Sequence, residues 1–432
     1  MDFIANHTKK NGQGGASISS ALRHVLANGM VVLVQRNPGS AAVSVRGDIR
    51  VGAIHEPAAK SGLAAFTGAA LIRGTQRRSF QEIVSITEAV GASVNAGGGM
   101  HAIGFGGRSL AEDLPLVIEI LAEMLREPTF PSEEIERLRG QFLMGLRESE
   151  QDTRTQASRA ARALLFPAEH PYSRLSSGTP ATVGAITRDD LAVFHQQFHP
   201  AVATIAVVGD VDPPAVVELL ERTFGVWQPG GTPPAIDFPP GTPISGIRRR
   251  DITMAGKVQS DVIWAVHGLT RASPDYYAAS VANMILGRIG LGGRLGNNVR
   301  EEQGLAYYCG SSIDADLGAG PWAALAGVHP SNVERTIEAM AHEIRQFAAD
   351  GPTPDELSDA RDYMTGSMVL GLETNDGIAG TLLGIERYQL GLDYVEQYPH
   401  LINAIDHDQV VAVARRYLSA TDYIVVVAGP AA

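Results

Sequence analysis

Two histidines four residues apart, His195 and His199 in FHQQFHP, could place a pair of imidazoles on one face of a helix for a metal ion. No Glu stands between them and Pro200 ends such a helix at once, so a structural role fits them better. His170 in AEHPYSRLSSGT is likewise expected to be structural. Cys309 is the single cysteine, which excludes an intrachain disulfide and any CxxC redox or metal centre. A zinc site would therefore need His and carboxylate ligands. No Ser-His-Asp or Cys-His arrangement is marked by its flanking residues. The run GRIGLGG from Gly287 lacks the Gly-x-x-x-x-Gly-Lys-Ser/Thr spacing of a phosphate loop and follows a helix-like segment where a strand is needed. Gly97-Gly98-Gly99, after Asn95, is expected to mark a bulge or turn between strands.

The elements that would position these groups are legible as hydrophobic patterns. Ala42 to Arg50 and Asp261 to Gly268 alternate like strands. Leu114, Val117, Ile118, Leu121 and Leu125 recur at three- and four-residue steps, giving a helix with one apolar face that Pro128 stops. Val333, Ile337, Met340 and Ile344 do the same before Gly351-Pro352. Thr204 to Val208 and Tyr423 to Val427 are short apolar runs suited to buried strands.

A Pro- and Gly-rich stretch after Trp227, QPGGTPPAIDFPPGTPISG, reads as a linker between two halves that carry the same order of signals. PSEEIERLRGQFLMGL from Pro131 is similar to TPDELSDARDYMTGSMVLGL from Thr353, and the segment from Ala185 is similar to the one from Ala404. Glu134 and Glu356, and Gly209 and Gly429, are each separated by about 220 residues, the mark of an internal duplication. The expected organisation is a flexible tail over 1–20, an N-terminal module over 21–228, a linker over 229–247 and a C-terminal module over 248–432. The expected fold class is α+β: two homologous modules, each a mostly antiparallel, mixed sheet covered by helices.

At 432 residues, with 44% hydrophobic and 19% charged residues, the chain can bury a large core. Its 35 Lys+Arg against 47 Asp+Glu give a net charge of −12, which argues against a general electrostatic grip on nucleic acid. No window approaches the roughly 18 uninterrupted apolar residues of a membrane span, and the first 20 residues have no signal-like apolar run. The expected setting is cytoplasmic, or periplasmic if the sequence is a processed mature form.

LANGMVVLVQRN from Leu26, SGLAAFTGAALIRGT from Ser61 and GASVNAGGG from Gly91 together resemble the N-terminal half of the pitrilysin/insulinase-type metallopeptidases, the inverzincins, in the branch of the mitochondrial processing peptidases. The resemblance extends over most of the chain and implies the half clamshell of that family. It also implies a helix carrying His-x-x-Glu-His, two imidazoles for zinc and a Glu as general base. Here the first His position is Ala65, the Glu position Gly68 and the second His position Ala69, while the distal Glu ligand falls on Gly145. None has a side chain that can bind zinc. The implied metal content is none in this chain, with zinc in a partner subunit.

GGRLGNNVREEQGLAYY, from Gly292 to Tyr308, resembles the family pattern in which an Arg and a Tyr seven residues apart project toward the active site. These are Arg300 and Tyr307. The resemblance implies that they act across a cavity on a peptide held at a zinc-bearing half, binding the scissile carbonyl and the oxyanion that develops on it. The bland alternative is a surface ion pair of Arg300 with the adjacent glutamates and a packed Tyr307. Two readings follow: a non-catalytic subunit that supplies Arg300 and Tyr307 to a homologous partner carrying His-x-x-Glu-His and acting on extended peptides, or an assembly scaffold of the same fold without catalytic part.

Overall fold

The computed structural model describes residues 18–228, 232–288, 293–418 and 421–431. Most of the expected tail, residues 229–231 of the linker and 289–292 of the glycine run lie outside them. The apolar runs found in the sequence become the middle of two sheets. The first contains β1 (Leu22–Val25), β2 (Val31–Arg36), β3 (Ala42–Ile49), β4 (Ser93–Gly98), β5 (Ile103–Leu110) and β6 (Ala203–Gly209), in the order β1-β2-β6-β3-β5-β4. The second contains β7 (Ile247–Thr253), β8 (Ser260–His267), β9 (Ala306–Ala315), β10 (Ala319–Val328) and β11 (Tyr423–Gly429), in the order β7-β11-β8-β10-β9.

Both sheets are mixed. β2 runs parallel to β6 and β7 parallel to β11, and every other pairing is antiparallel. β6 and β11 are buried at every position, which explains why they read as continuous apolar runs rather than as alternating ones. β4 and β9 are the edge strands at corresponding ends.

Helices α1 (Leu63–Ala70), α2 (Phe80–Ala89), α3 (Leu114–Arg126), α4 (Ser132–Glu150) and α5 (Thr153–Leu165) follow in the first half. The stripe on α3 is buried as its spacing requires, with Val117, Ile118, Leu121 and Leu125 all in the core of the first sheet.

The covering of the sheets departs from a simple pair of self-contained modules, because one helix of each half crosses to the other. α5 lays Ala157, Ala160, Ala161 and Leu165 on Ile263, Ala265, Ile424 and Val426 of the second sheet. Helix Asn375–Arg387 lays Ile378, Ala379, Leu382 and Ile385 on Leu33, Ala206 and Val208 of the first. Small residues on α5 let it lie close to strands whose facing residues include Ala265 and Ala428. Ile18, near the end of the expected tail, is buried in that same second contact, with Ser19 and Ser20 exposed beside it. Ion pairs cross the same boundary: Arg23–Glu386 at 2.8 Å, Arg46–Asp376 at 2.6 Å and Arg387–Asp48 at 2.8 Å.

Candidate functional site

Helix α1 carries the three expected motif positions, and its start is built by a buried carboxylate. Gly62, at φ +95°, turns the chain into the helix, and the backbone N–H groups of Gly62 and Ala64 donate to Glu56 at 2.9 and 2.8 Å. Those orphan N–H groups and the positive end of the helix hold an acceptor in place. Burial pushes the Glu56 carboxyl up to about 7, against the opposite pull of the two N–H groups and of Arg174.

Phe66 packs edge-on against Phe142 of α4 at 5.2 Å, with the Arg139 guanidinium over its ring, so α1 and α4 form one wall. Ala65 and Ala69 are half-buried on this wall, and Gly145 is exposed on α4, where a Cβ would meet nothing within 4 Å. Gly68 is different. A Cβ there would fall less than 3.0 Å from the backbone of Gly97 and Gly98, and a Cβ on Gly98 would strike Ala64 of the helix. Helix and edge strand touch backbone to backbone where a general base would need space. The expected turn between strands begins at Gly99, whose N–H donates to the Ala102 carbonyl at 2.8 Å, while Gly97 and Gly98 are the last residues of β4 and admit the helix. The residues present do not fit zinc, because methyl groups and hydrogens offer no lone pair. Among the described residues no group of three or more His, Cys, Asp or Glu could hold a metal ion.

Arg300 lies in a seven-residue π-helical segment, Gly296–Glu302, and Tyr307 near the start of edge strand β9. The turn between them is closed by the Gly304 N–H on the Arg300 carbonyl at 3.1 Å and the Leu305 N–H on the Val299 carbonyl at 2.9 Å. Gly304 sits at φ +62°, a conformation that glycine adopts without strain. Val299 and Leu305 are buried and anchor the turn, whereas the Arg300 side chain is 34% exposed and Tyr307 is 64% exposed. Arg300 forms an ion pair with Glu301 at 3.2 Å. The donors thus stand on the open edge of the second sheet, while the empty motif lies against the open edge of the first.

Residues 31–166 match the family model described as insulinase, peptidase family M16, and residues 185–364 match that of the peptidase M16 inactive domain. The chain belongs to peptidase family M16. It is 28% identical over 416 residues to an uncharacterized zinc protease of Streptomyces coelicolor, spanning 94% of this chain and 89% of that one. It is 24% identical to the mitochondrial-processing peptidase subunit beta of Lentinula edodes over 414 residues, 92% of this chain and 87% of the relative. Among solved structures, the peptidase M16 inactive domain from Pseudomonas fluorescens superposes with a TM-score of 0.88 at 26% identity, covering 95% of this chain and 98% of that one.

Within this M16 chain the other sequence candidates are occupied structurally. The helix holding His195 ends at that residue, so His195 and His199 do not share a helix face. His195 Nε2 donates to the Leu125 carbonyl at 2.8 Å, and His199 Nδ1 accepts from the Ala201 N–H at 3.1 Å. His170 accepts from the Tyr172 N–H at 3.0 Å and lies on Phe166. Burial pushes the Cys309 thiol up to about 12, which keeps it unreactive at neutral pH. Gly287 closes the helix Tyr276–Gly287, so the glycine run does follow a helix.

The sequence did not disclose a polar cavity of about 670 Å³ between the halves, lined by Asp48, His101, Arg162, Tyr172, Asp316 and Arg387 among others. Tyr172 Oη lies 3.0 Å from His101 Nε2 and accepts from the Gly318 N–H at 3.1 Å. Arg162 pairs with Asp314 at 2.6 Å and Tyr388 donates to Asp316 at 3.0 Å. Burial lowers the His101 pKa below the usual imidazole range, and Asp316 opposes this. These residues come from positions 48 to 387, so no local spacing could have grouped them.

Proposed function

We propose that this M16 chain is the non-catalytic subunit of a hetero-oligomeric zinc metallopeptidase. In this reading it supplies Arg300 and Tyr307 to the zinc site of a homologous subunit that carries His-x-x-Glu-His. The observation that carries the reading is the contrast between two surfaces of one molecule. The expected positions for ligands and base hold Ala65, Gly68, Ala69 and Gly145, with Gly68 sealed against β4, whereas a partly exposed Arg300 and an exposed Tyr307 stand at the open strand β9.

A Tyr hydroxyl and a guanidinium fixed on a rigid turn can hydrogen-bond the scissile carbonyl of an extended peptide and the negative charge that develops on its oxygen. Removing one such donor typically costs about 2.7–4 kcal/mol of transition-state stabilisation. The proposed organisation is a duplicated chain, with modules over 21–228 and 248–432 and a linker over 229–247. The matching strand orders and the reciprocal exchange of helices support it.

The test is reconstitution of the chain with a zinc-bearing homologue. Arg300→Ala and Tyr307→Phe are each expected to lower kcat by roughly a hundredfold or more with the complex still assembled. Unaltered turnover in both variants, or stoichiometric zinc on the isolated chain, overturns the reading. The scaffold alternative draws its support from the Arg300–Glu301 ion pair, which already occupies part of the guanidinium. Under it, both variants leave turnover untouched.

A further inference from the structure

Tyr307 and Tyr308 are neighbours on β9 and point to opposite faces of the sheet, as successive strand residues must. Tyr307 faces solvent, and Tyr308 is half-buried. The register aligns Tyr308 of β9, Gly327 of β10 and Asp261 of β8 in one row across three strands. Gly327 has no side chain, and a Cβ there would lie less than 3.0 Å from the Tyr308 ring. The ring therefore lies over β10, and its hydroxyl donates to Asp261 Oδ1 two strands away.

Asp261 is 3% exposed. Its second oxygen accepts from the Thr153 hydroxyl and, at 3.4 Å, from Gln259 Nε2. Among the described residues it forms no ion pair, and the Arg154 guanidinium lies over the Tyr308 ring, 5.6 Å from its centre. A buried carboxylate held by hydroxyl donors forms strong, directional, charge-assisted bonds. Thr153 is the first residue of α5 and belongs to the other half of the chain, immediately beyond α4 with its empty Gly145 position.

We infer that Asp261 is a positioning residue that, through Tyr308 and Thr153, locks the strand bearing Tyr307 to the elbow between α4 and α5. One carboxylate ties the start of β8, the start of β9 and the start of α5 together. The direction of Tyr307 is then set by a contact between the halves and not by the edge strand alone. This rests on the proposed use of Tyr307 by a partner, but the lock itself can be read in the isolated chain.

Tyr308→Phe and Thr153→Val each remove one hydroxyl without changing the fold's shape, so the experiment uses both in the full chain. Amide hydrogen exchange on the isolated protein is expected to speed at least tenfold over Ala306–Gly310, with the β8–β10 ladder unchanged. Exchange over β9 that matches the parent protein in both variants overturns the lock, whatever the complex does.

In the reconstituted complex, Tyr308→Phe is expected to lower kcat about tenfold with KM within twofold. The double variant Tyr307→Phe/Tyr308→Phe is expected to be no slower than Tyr307→Phe alone, because Tyr308 acts through Tyr307. Rate losses that multiply overturn the positioning role. If Tyr307→Phe itself is silent, the proposed function fails and the exchange result still decides the lock.

Discussion

Gly68 on α1 and Gly98 on β4 meet backbone to backbone, so near that a Cβ on either would lie less than 3.0 Å from the other's segment. The family's general base cannot occupy that position without moving a helix off a sheet. At Gly68, the expected general-base position, the packing thus excludes a longer side chain. Ala65 and Ala69, only half-buried, and Gly145, exposed, have room that Gly68 lacks. The triple variant Ala65→His/Ala69→His/Gly145→Glu is expected to stay within about 1 kcal/mol of the parent in urea denaturation. Adding Gly68→Glu should cost well beyond that, and Gly68→Ala alone about 1–3 kcal/mol, the range for overpacking a tight contact. A quadruple variant as stable as the triple one would show that α1 and β4 can separate freely.

Glu56 gives the start of α1 a pH signature. Its folded pKa, about 7, lies above the ordinary 4.5, so the native state holds a proton that the unfolded chain has released. For a group shifted in this direction, stability is fully present below about pH 4.5 and declines as pH rises toward 7. The shift corresponds to a few kcal/mol at most, on the order of 3. Glu56→Gln, which cannot ionise, is expected to lose more stability relative to the parent at pH 5 than at pH 8. Equal losses at the two pH values, measured by urea titration, would mean that Glu56 is ionised throughout.

How much of this was readable without coordinates differs from element to element. The edges of β6 and β11 and the stripe of α3 were visible because burial imposes a period on apolar residues, and the structure places them within a residue or two. The expected motif positions Ala65 and Ala69 came from a local spacing beside Gly62-Leu63 and Gly74-Thr75, and Gly145 from the long separation that the resemblance implies. The exchange of α5 and Asn375–Arg387 between sheets left no such trace, since an apolar helix face looks the same whichever sheet it covers. His199 was misplaced on a helix because its ring instead caps the next short turn, a local bond from the Ala201 N–H, while His195 bonds the distant Leu125 carbonyl. Asp261 was legible only as the start of a strand: its partners are 108 and 47 residues away, and strand register together with the crossing of α5 brings them to one carboxylate.

The exchanged helix Asn375–Arg387 makes two ion pairs with β3 that look alike in a contact list and should behave differently. Arg46 and Asp376 meet through two bonds of 2.6 and 2.7 Å, but both side chains are about half exposed, so water and salt screen them. Asp376→Asn is expected to cost less than about 1 kcal/mol. Arg387 and Asp48 are bonded at 2.8 Å where Asp48 is buried. Burial raises the Asp48 pKa above the ordinary carboxylate range, and Arg387 is the main influence opposing it. Arg387→Met leaves that carboxylate alone in a low dielectric and is expected to cost about 3–5 kcal/mol at neutral pH.

The sign of its pH dependence follows from Asp48. Without Arg387 the folded pKa climbs further, so the native state takes up a proton that the unfolded chain does not hold. The deficit of Arg387→Met should accordingly be smallest near pH 4 and grow as pH rises. Adding Asp48→Asn removes the charge that Arg387 neutralised and is expected to recover most of the loss at pH 7.5. Thermal or urea unfolding of the three variants at pH 4.5 and 7.5 checks this. A deficit that is independent of pH, or a double variant no better than Arg387→Met, would place the role of Arg387 in packing instead of charge.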